Sequence, residues 1–175
     1  MIGAFDGGFK CQAVQSGIFF QFKHLDLNQS SIIFYQYQQK TAMLKYLAIY
    51  TAVFLTMFII DMVWLGIVAK STYANAMGAL LRADPNLWAA AAFYLLFPVG
   101  LLMFAVLPQA DSPVWKAALM GALFGFFAYS TYDLTNLAVI KDWPLGLTFI
   151  DMAWGTMVSG MSAAVGKLAL DWLNK

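Results

Sequence analysis

Charge is scarce in this chain. Only 11% of its 175 residues are charged, and every acidic residue is Asp, with no Glu at all. The net charge of +1 leaves no basic surface for nucleic acid and no field to attract an acidic partner. The single Cys11 rules out an intramolecular disulfide and any cysteine-based metal site. The single His24 lies in the polar N-terminal segment, and neither a metal nor a cofactor is expected. Short apolar bursts before residue 40 are broken by Gln, Lys and His, and no signal-peptide core forms there.

What the chain has instead is apolar surface. It is 62% hydrophobic, with a mean hydropathy of +0.70, whereas soluble domains usually hold about 45–50% apolar and about 25% charged residues. Such an excess implies surface faced by lipid rather than a larger core. Residues 1–42 stand apart, with Gln recurring through "FYQYQQK" and Lys10, Lys23 and Lys40 scattered among short apolar bursts. At Met43 the text changes abruptly to "MLKYLAIYTAVFLTMFII". We read 1–42 as an N-terminal extension, either a disordered tail or upstream sequence preceding a natural start at Met43. Residues 43–175 are read as the transmembrane domain.

Four stretches, about 44–69, 85–107, 113–140 and 144–173, are long enough to cross a hydrocarbon core, which needs about 20 mostly apolar residues as helix. Lipid offers no water to backbone groups, so the spans must be helical. Short connections then dictate an all-α, up-down antiparallel bundle of four transmembrane helices. Pro85, Pro113 and Pro144 fit the first turns of helices, with Asp84 and Ser112 as caps, and Pro108 stops the second span. Pro98, inside that span, predicts a kink at the Tyr94 carbonyl. Trp88, Trp115, Trp143 and Trp172 fall near helix ends, as interfacial aromatics do. The connection "KSTYANAMGALLRAD" reads equally well as a surface-lying helix or as a polar loop.

Three acids break the apolar text: Asp61, Asp133 and Asp151. A charged side chain at the bilayer centre costs about 2.5–3.5 kcal/mol on insertion scales, so such residues mark sites. Each lies roughly 10–12 Å from the same membrane boundary, given the alternating helix directions and 1.5 Å per residue. On the third helix Gly121, Gly125, Tyr129, Tyr132, Asp133 and Asn136 share an arc of about 120°, and Gly121 with Gly125 forms a GxxxG step for close helix approach. On the fourth, Thr148, Asp151, Gly155, Ser159, Ser162 and Gly166 form a stripe of small and polar residues. On the first, Asp61 shares its face with Tyr50, Phe54 and Trp64. With no basic residue in the spanning cores, closely spaced carboxylates cannot all ionise, so at least one is expected to hold a proton. Tyr129, Tyr132, Asn136 and Thr148 are the expected donors to those that stay charged.

"IDMVW" at 60–64 and "IDMAW" at 150–154 repeat one pattern, with Trp64 and Trp154 each three residues after an Asp. An inverted repeat would explain it, but with four identities in five we read it as coincidence and the two Trp as packing residues.

From Met43 onward the chain resembles a family of small bacterial inner-membrane proteins catalogued as domain of unknown function 2177. The resemblance rests on "DMVWLG" at 61–66, "FYLLF" at 93–97, "YSTYDLTNLA" at 129–138 with "WPL" at 143–145, and "DMAWGT" at 151–156. It implies a four-helix protein of the bacterial inner membrane. It carries no activity and no catalytic residues.

Three functions are weighed on these residues. The first is a proton- or cation-linked transporter or relay working through the buried Asp cluster, for which four helices are few and a homodimer would be needed. The second is a structural or accessory membrane subunit, held by GxxxG packing. The third is a membrane-embedded enzyme acting on a lipid or isoprenoid, with Asp133 as acid/base; it lacks His, Cys and a phosphate-binding Lys or Arg in the spans. We rank them in that order and lean against an enzyme. The substrate and any catalytic residue are unassigned, and the bilayer is the one partner the composition names. Lys40, Lys45, Lys116, Lys167 and Lys175 fall on one side and Lys70, Arg82 and Lys141 on the other. Positive-inside bias then places both termini in the cytoplasm.

Overall fold

A computed structural model describes the backbone of residues 12–82 and 84–175 and the side chains of residues 29–78, 80–82 and 84–175. Cys11 and His24 lie outside the described side chains. Among the described residues all regular structure is helical: α1 (Gln12–Val63), α2 (Lys70–Met77), α3 (Leu87–Leu101), α4 (Val114–Val139) and α5 (Leu145–Leu173), with short π and 3-10 turns between them. The chain divides into two compact units, Met1–Leu44 and Lys45–Lys175.

In the first unit, residues 12–44 are helical. The stretch from Gln12 to Val63 contains no proline and only one glycine, Gly17, so nothing interrupts the helix. Ile33, Phe34, Tyr35 and Tyr37 on it are exposed.

The second unit holds the core. Ile49 and Val53 of α1 pack with Leu101, Leu102, Ala105 and Val106 of the second long helix and with Ala163 and Leu170 of α5. Met57, Trp154 and Val158 continue this packing toward the other end. The closest approach is between α4 and α5. A side chain on Gly121 would collide with Ala163 and the Ser159 carbonyl, and one on Gly125 with the backbone of Gly155. The glycine step read from the sequence therefore does bring two helices to backbone contact.

Helix boundaries depart from expectation in instructive ways. The cap of α3 is Asn86, whose Oδ1 accepts from the backbone N–H groups of Trp88 (3.1 Å) and Ala89 (3.2 Å), rather than Asp84. Pro113 and Pro144 occupy the capping positions of α4 and α5 instead of their first turns, with extended backbone at both. Pro98 lies within α3, where the missing N–H leaves a backbone carbonyl one turn earlier without its donor. Beside it, the Tyr50 hydroxyl donates to the Leu95 carbonyl at 2.9 Å, supplying a side-chain donor to the disturbed turn. The helix then loosens into a π turn at Leu102–Val106 before Pro108 ends it. The segment after α1 is also not a plain loop. A π turn at Trp64–Val68 leads into α2, which stops at Gly78, where φ is +46°.

Two helical stretches among the described residues, Gln29–Val68 and Leu87–Gln109, are long and apolar enough to cross a membrane. α4 and α5 do not reach that level, although each is longer than Leu87–Gln109. The polar residues on their facing sides, from Ser130 and Asp133 to Ser159 and Ser162, lower the mean hydropathy of each.

Candidate functional site: a buried layer of aspartates

The site forms where the end of α1, the start of α5, the last third of α4 and α2 come together. Asp61, Asp133 and Asp151 are 3%, 0% and 6% exposed. Each carboxyl sits in a different hydrogen-bonding environment.

Asp61 accepts a hydrogen bond from the Trp154 indole N–H at 2.8 Å, with the Tyr94 phenol of α3 beside it as a second donor. Trp154 in turn stacks face to face on Trp64, with ring centroids 4.1 Å apart and planes 8° from parallel. The two five-residue repeats thus meet in space, the tryptophan of one serving the aspartate of the other. Antiparallel α1 and α5 make this crossing geometrically natural, and Lys45 bonding to Asn174 at the opposite end confirms their direction. The two Trp pack, as expected, but Trp154 is also a polar ligand of an acid.

Asp151 accepts from the Tyr73 hydroxyl, which reaches in from α2. Tyr73 lies outside the long helices, and burial together with the Asp151 charge pushes its phenol well above the ordinary value, so it remains a donor. The connection that read as a loop or surface helix is therefore a short helix placing one phenol on the acid layer.

Asp133 has no such partner. Both of its oxygens are fully buried without a hydrogen bond among the described residues, and the charged group within electrostatic reach of it is another carboxyl, Asp151. The buried hydroxyls of Ser130 and Ser159 likewise have no partner among the described residues, while the Trp64 indole N–H is directed at the Tyr73 hydroxyl. Buried polar groups are almost always satisfied, so an unpartnered carboxyl with an unpartnered Ser130 hydroxyl one turn before it is unusual.

The expected donors are arranged differently from the sequence reading. Tyr132 is more than half exposed and pairs with Asn136 rather than with Asp133. Thr148 is fully buried and accepts from the Trp143 indole at 3.1 Å. Trp143 is 8% exposed, so it is a buried hydrogen-bonding residue and not an interfacial anchor. Tyr129 packs against Gly155, where any side chain would collide with its ring, and lies within electrostatic reach of Asp61 and Asp151. No hydrogen bond joins any two of the three carboxyls. The aspartates share a layer and not one bonded cluster. Among the described residues no set of three His, Cys, Asp or Glu is arranged to hold a metal ion.

Tyr73, Tyr94, Ser130 and the Trp143–Thr148 bond escaped sequence reasoning. Nothing in their local text marks them, since Tyr73, Tyr94 and Trp143 act on residues from another helix or across a turn, and Ser130 is distinguished only by its burial. A buried cation was missed as well. Lys167 of α5 is 2% exposed and pairs with Asp171 one turn later. It lies 16 residues from Asp151, about 24 Å along the helix, too far to neutralise the acids.

Comparison with known proteins agrees with the family resemblance. A family model described as a predicted membrane protein, DUF2177, matches residues 46–168. No curated protein and no solved structure matches the chain.

Proposed function

The chain belongs to this predicted membrane protein family, DUF2177, and from that premise we propose that its buried aspartates form a proton- or cation-linked relay or transport site. On this reading the end of α1, the α3 helix with its π extension, α4 and α5 are four spans of the bacterial inner membrane. Both termini are cytoplasmic, and the acid layer lies nearer the external face. Exposed Leu, Phe, Val and Met side chains on all four helices favour lipid contact.

The observation that carries the reading is Asp133. Its carboxyl is fully buried, lies within electrostatic reach of a second carboxyl, and has no basic side chain or hydrogen-bond donor as a partner among the described residues. A side chain kept only to hold helices together would be expected to bond, and interhelical bonds in membranes average only about 0.6 kcal/mol. An open carboxyl instead suits a group that takes up and releases a proton or cation. Asp61, supported by Trp154 and Tyr94, and Asp151, supported by Tyr73, would be the neighbouring stations. Four helices make a small carrier, and a homodimer would enlarge the pathway.

The test is proton flux in proteoliposomes holding the full chain and an internal pH-sensitive dye, with a potassium diffusion potential as the driving force. Flux above that of empty vesicles is expected, and its loss in Asp133→Asn protein that still inserts and stays monodisperse. Absence of flux from the unaltered chain would sink the relay.

A further inference from the structure

One side chain fastens α2 to the acid layer. The helix buries none of its residues, and among the described residues the Tyr73 hydroxyl makes its one hydrogen bond to α3, α4 or α5, onto Asp151. Both ends of α2 are jointed. A π turn at Trp64–Val68 precedes it, and Gly78 follows with φ at +46° and open space where a side chain would stand. The repeated pentapeptides supply a second donor for the same acid. Trp154 donates to Asp61 at 2.8 Å, and its ring lies on that of Trp64. A local two-fold axis through the stacked rings would bring the Trp64 indole N–H to Asp151 in the same way. Instead that N–H is buried without a closed hydrogen bond, directed at the interposed Tyr73 hydroxyl. We propose that α2 is the gate of the acid layer, latched by Tyr73 and opened when Trp64 replaces Tyr73 as the donor to Asp151. The inference rests on the relay reading and names the regulation of that same site.

Exchange of donors limits the cost of opening. Asp151 keeps a neutral donor in both states, so no buried carboxyl is stranded, and the Trp64 N–H gains the acceptor it lacks. No proton changes owner; one O–H···O contact is replaced by one N–H···O contact. The released Tyr73 side chain is already partly exposed, so its hydroxyl passes to water. The register of α4 on α5 explains why the latch sits on Asp151. Gly125 and Tyr129 both meet Gly155, so one turn further along Asp133 comes to the level of Asp151. Lifting α2 from Asp151 therefore opens the way toward Asp133, which is 0% exposed in the closed arrangement. A simple structural pin would need neither a joint at each end of α2 nor a second donor beside the acid it grips.

Indole resonances of nitrogen-15-labelled tryptophan in the detergent-solubilised full chain test this, together with amide hydrogen exchange. Tyr73→Phe keeps the ring and removes the latch. Its α2 amides should exchange about tenfold faster or more, with α4 and α5 unchanged. The Trp64 indole proton, assigned by its loss in Trp64→Phe, should move downfield toward the position of Trp154. Adding Asp151→Leu removes the acceptor and should abolish that movement. Trp64→Phe alone removes the second donor and should slow α2 exchange about two- to tenfold. It leaves Tyr73 and every acid in place, so it remains informative if Tyr73→Phe does not fold. An unmoved Trp64 resonance in Tyr73→Phe, or unchanged α2 exchange in either variant, would overturn the gate. In proteoliposomes, flux should rise in Tyr73→Phe because the gate stands open more often. Loss of flux there would make Tyr73 a station of the relay rather than a latch, and the gate would fall while the relay stood. Donor exchange in a chain that moves no protons would instead overturn the relay.

Discussion

The two ends of the helical unit both bury charge, yet they treat it in opposite ways. At the end holding Lys167, the ammonium is paired with Asp171 one turn along the same helix, and Lys45 bonds to Asn174 nearby. At the other end, Asp61 and Asp151 have neutral donors, and Asp133 has none among the described residues. The first arrangement looks like structure, with opposite charges placed at a spacing where helix geometry makes them neighbours. The second leaves a polar group unsatisfied where helix packing alone gives no reason to do so. Burial alone therefore does not distinguish glue from site; partnership does.

The contrast depends first on the close contact that brings α4 to α5 and holds Asp133 beside Asp151. Gly125→Val would drive a side chain into the backbone of Gly155, which cannot move aside as a flexible side chain can. We expect the largest effect here, roughly 3 kcal/mol or more, at the upper end of overpacking costs. Fluorescence-detected size exclusion should show loss of the monodisperse peak. Survival of a folded Gly125→Val protein would mean that the two helices do not need this approach, and the shared acid layer would lose its framework.

The paired end can be broken in a graded way. Asp171→Leu leaves Lys167 buried without its counter-charge, and we expect a loss of about 2 kcal/mol. That is below the 3–5 kcal/mol typical of breaking a fully buried pair, since the Asp171 side chain is 38% exposed. Adding Lys167→Met should restore most of the loss, as replacing both partners of a buried pair usually does. Thermal unfolding in detergent would measure both. A double variant no more stable than Asp171→Leu would show that Lys167 has another role.

Much of this comparison was legible in the sequence, and the reasons for the rest are physical. The glycines of α4, the polar stripe of α5 and the common level of the three acids follow from helix periodicity and alternating direction, which local text determines. What each acid touches does not follow. Tyr73 comes from a connection whose helical state was open, and Trp154 serves an acid on another helix. Tyr132 follows α4 periodicity to the expected arc yet turns to Asn136, because the arc is wider than the face that α5 covers. The repeated pentapeptide was visible, but only the antiparallel pairing of α1 with α5 makes its two tryptophans stack. Lys167 was assigned to a membrane edge by counting residues, whereas its burial beside Asp171 depends on the packing around it.

The smallest stability change is expected at Asp133, and its sign is the sharpest test of the contrast between the two ends. If Asp133 were glue, Asp133→Leu would remove hydrogen bonds and lower the unfolding temperature. The structure assigns it no hydrogen bond to lose. A leucine of similar reach at a fully buried position removes the desolvation cost of the carboxyl and adds apolar contact. We therefore expect Asp133→Leu to be neutral or stabilising, by up to about 1 kcal/mol, while abolishing proton movement. That opposition of stability and activity is what residues retained for function commonly show. Asp61→Leu supplies the contrast within the same layer, because it strands the Trp154 indole N–H and should cost roughly 1–3 kcal/mol. Thermal unfolding of the two variants in one detergent decides the matter. A loss at Asp133 as large as that at Asp61 would mean that its carboxyl has a structural partner, and the acid layer would then belong with the Lys167 end as structure.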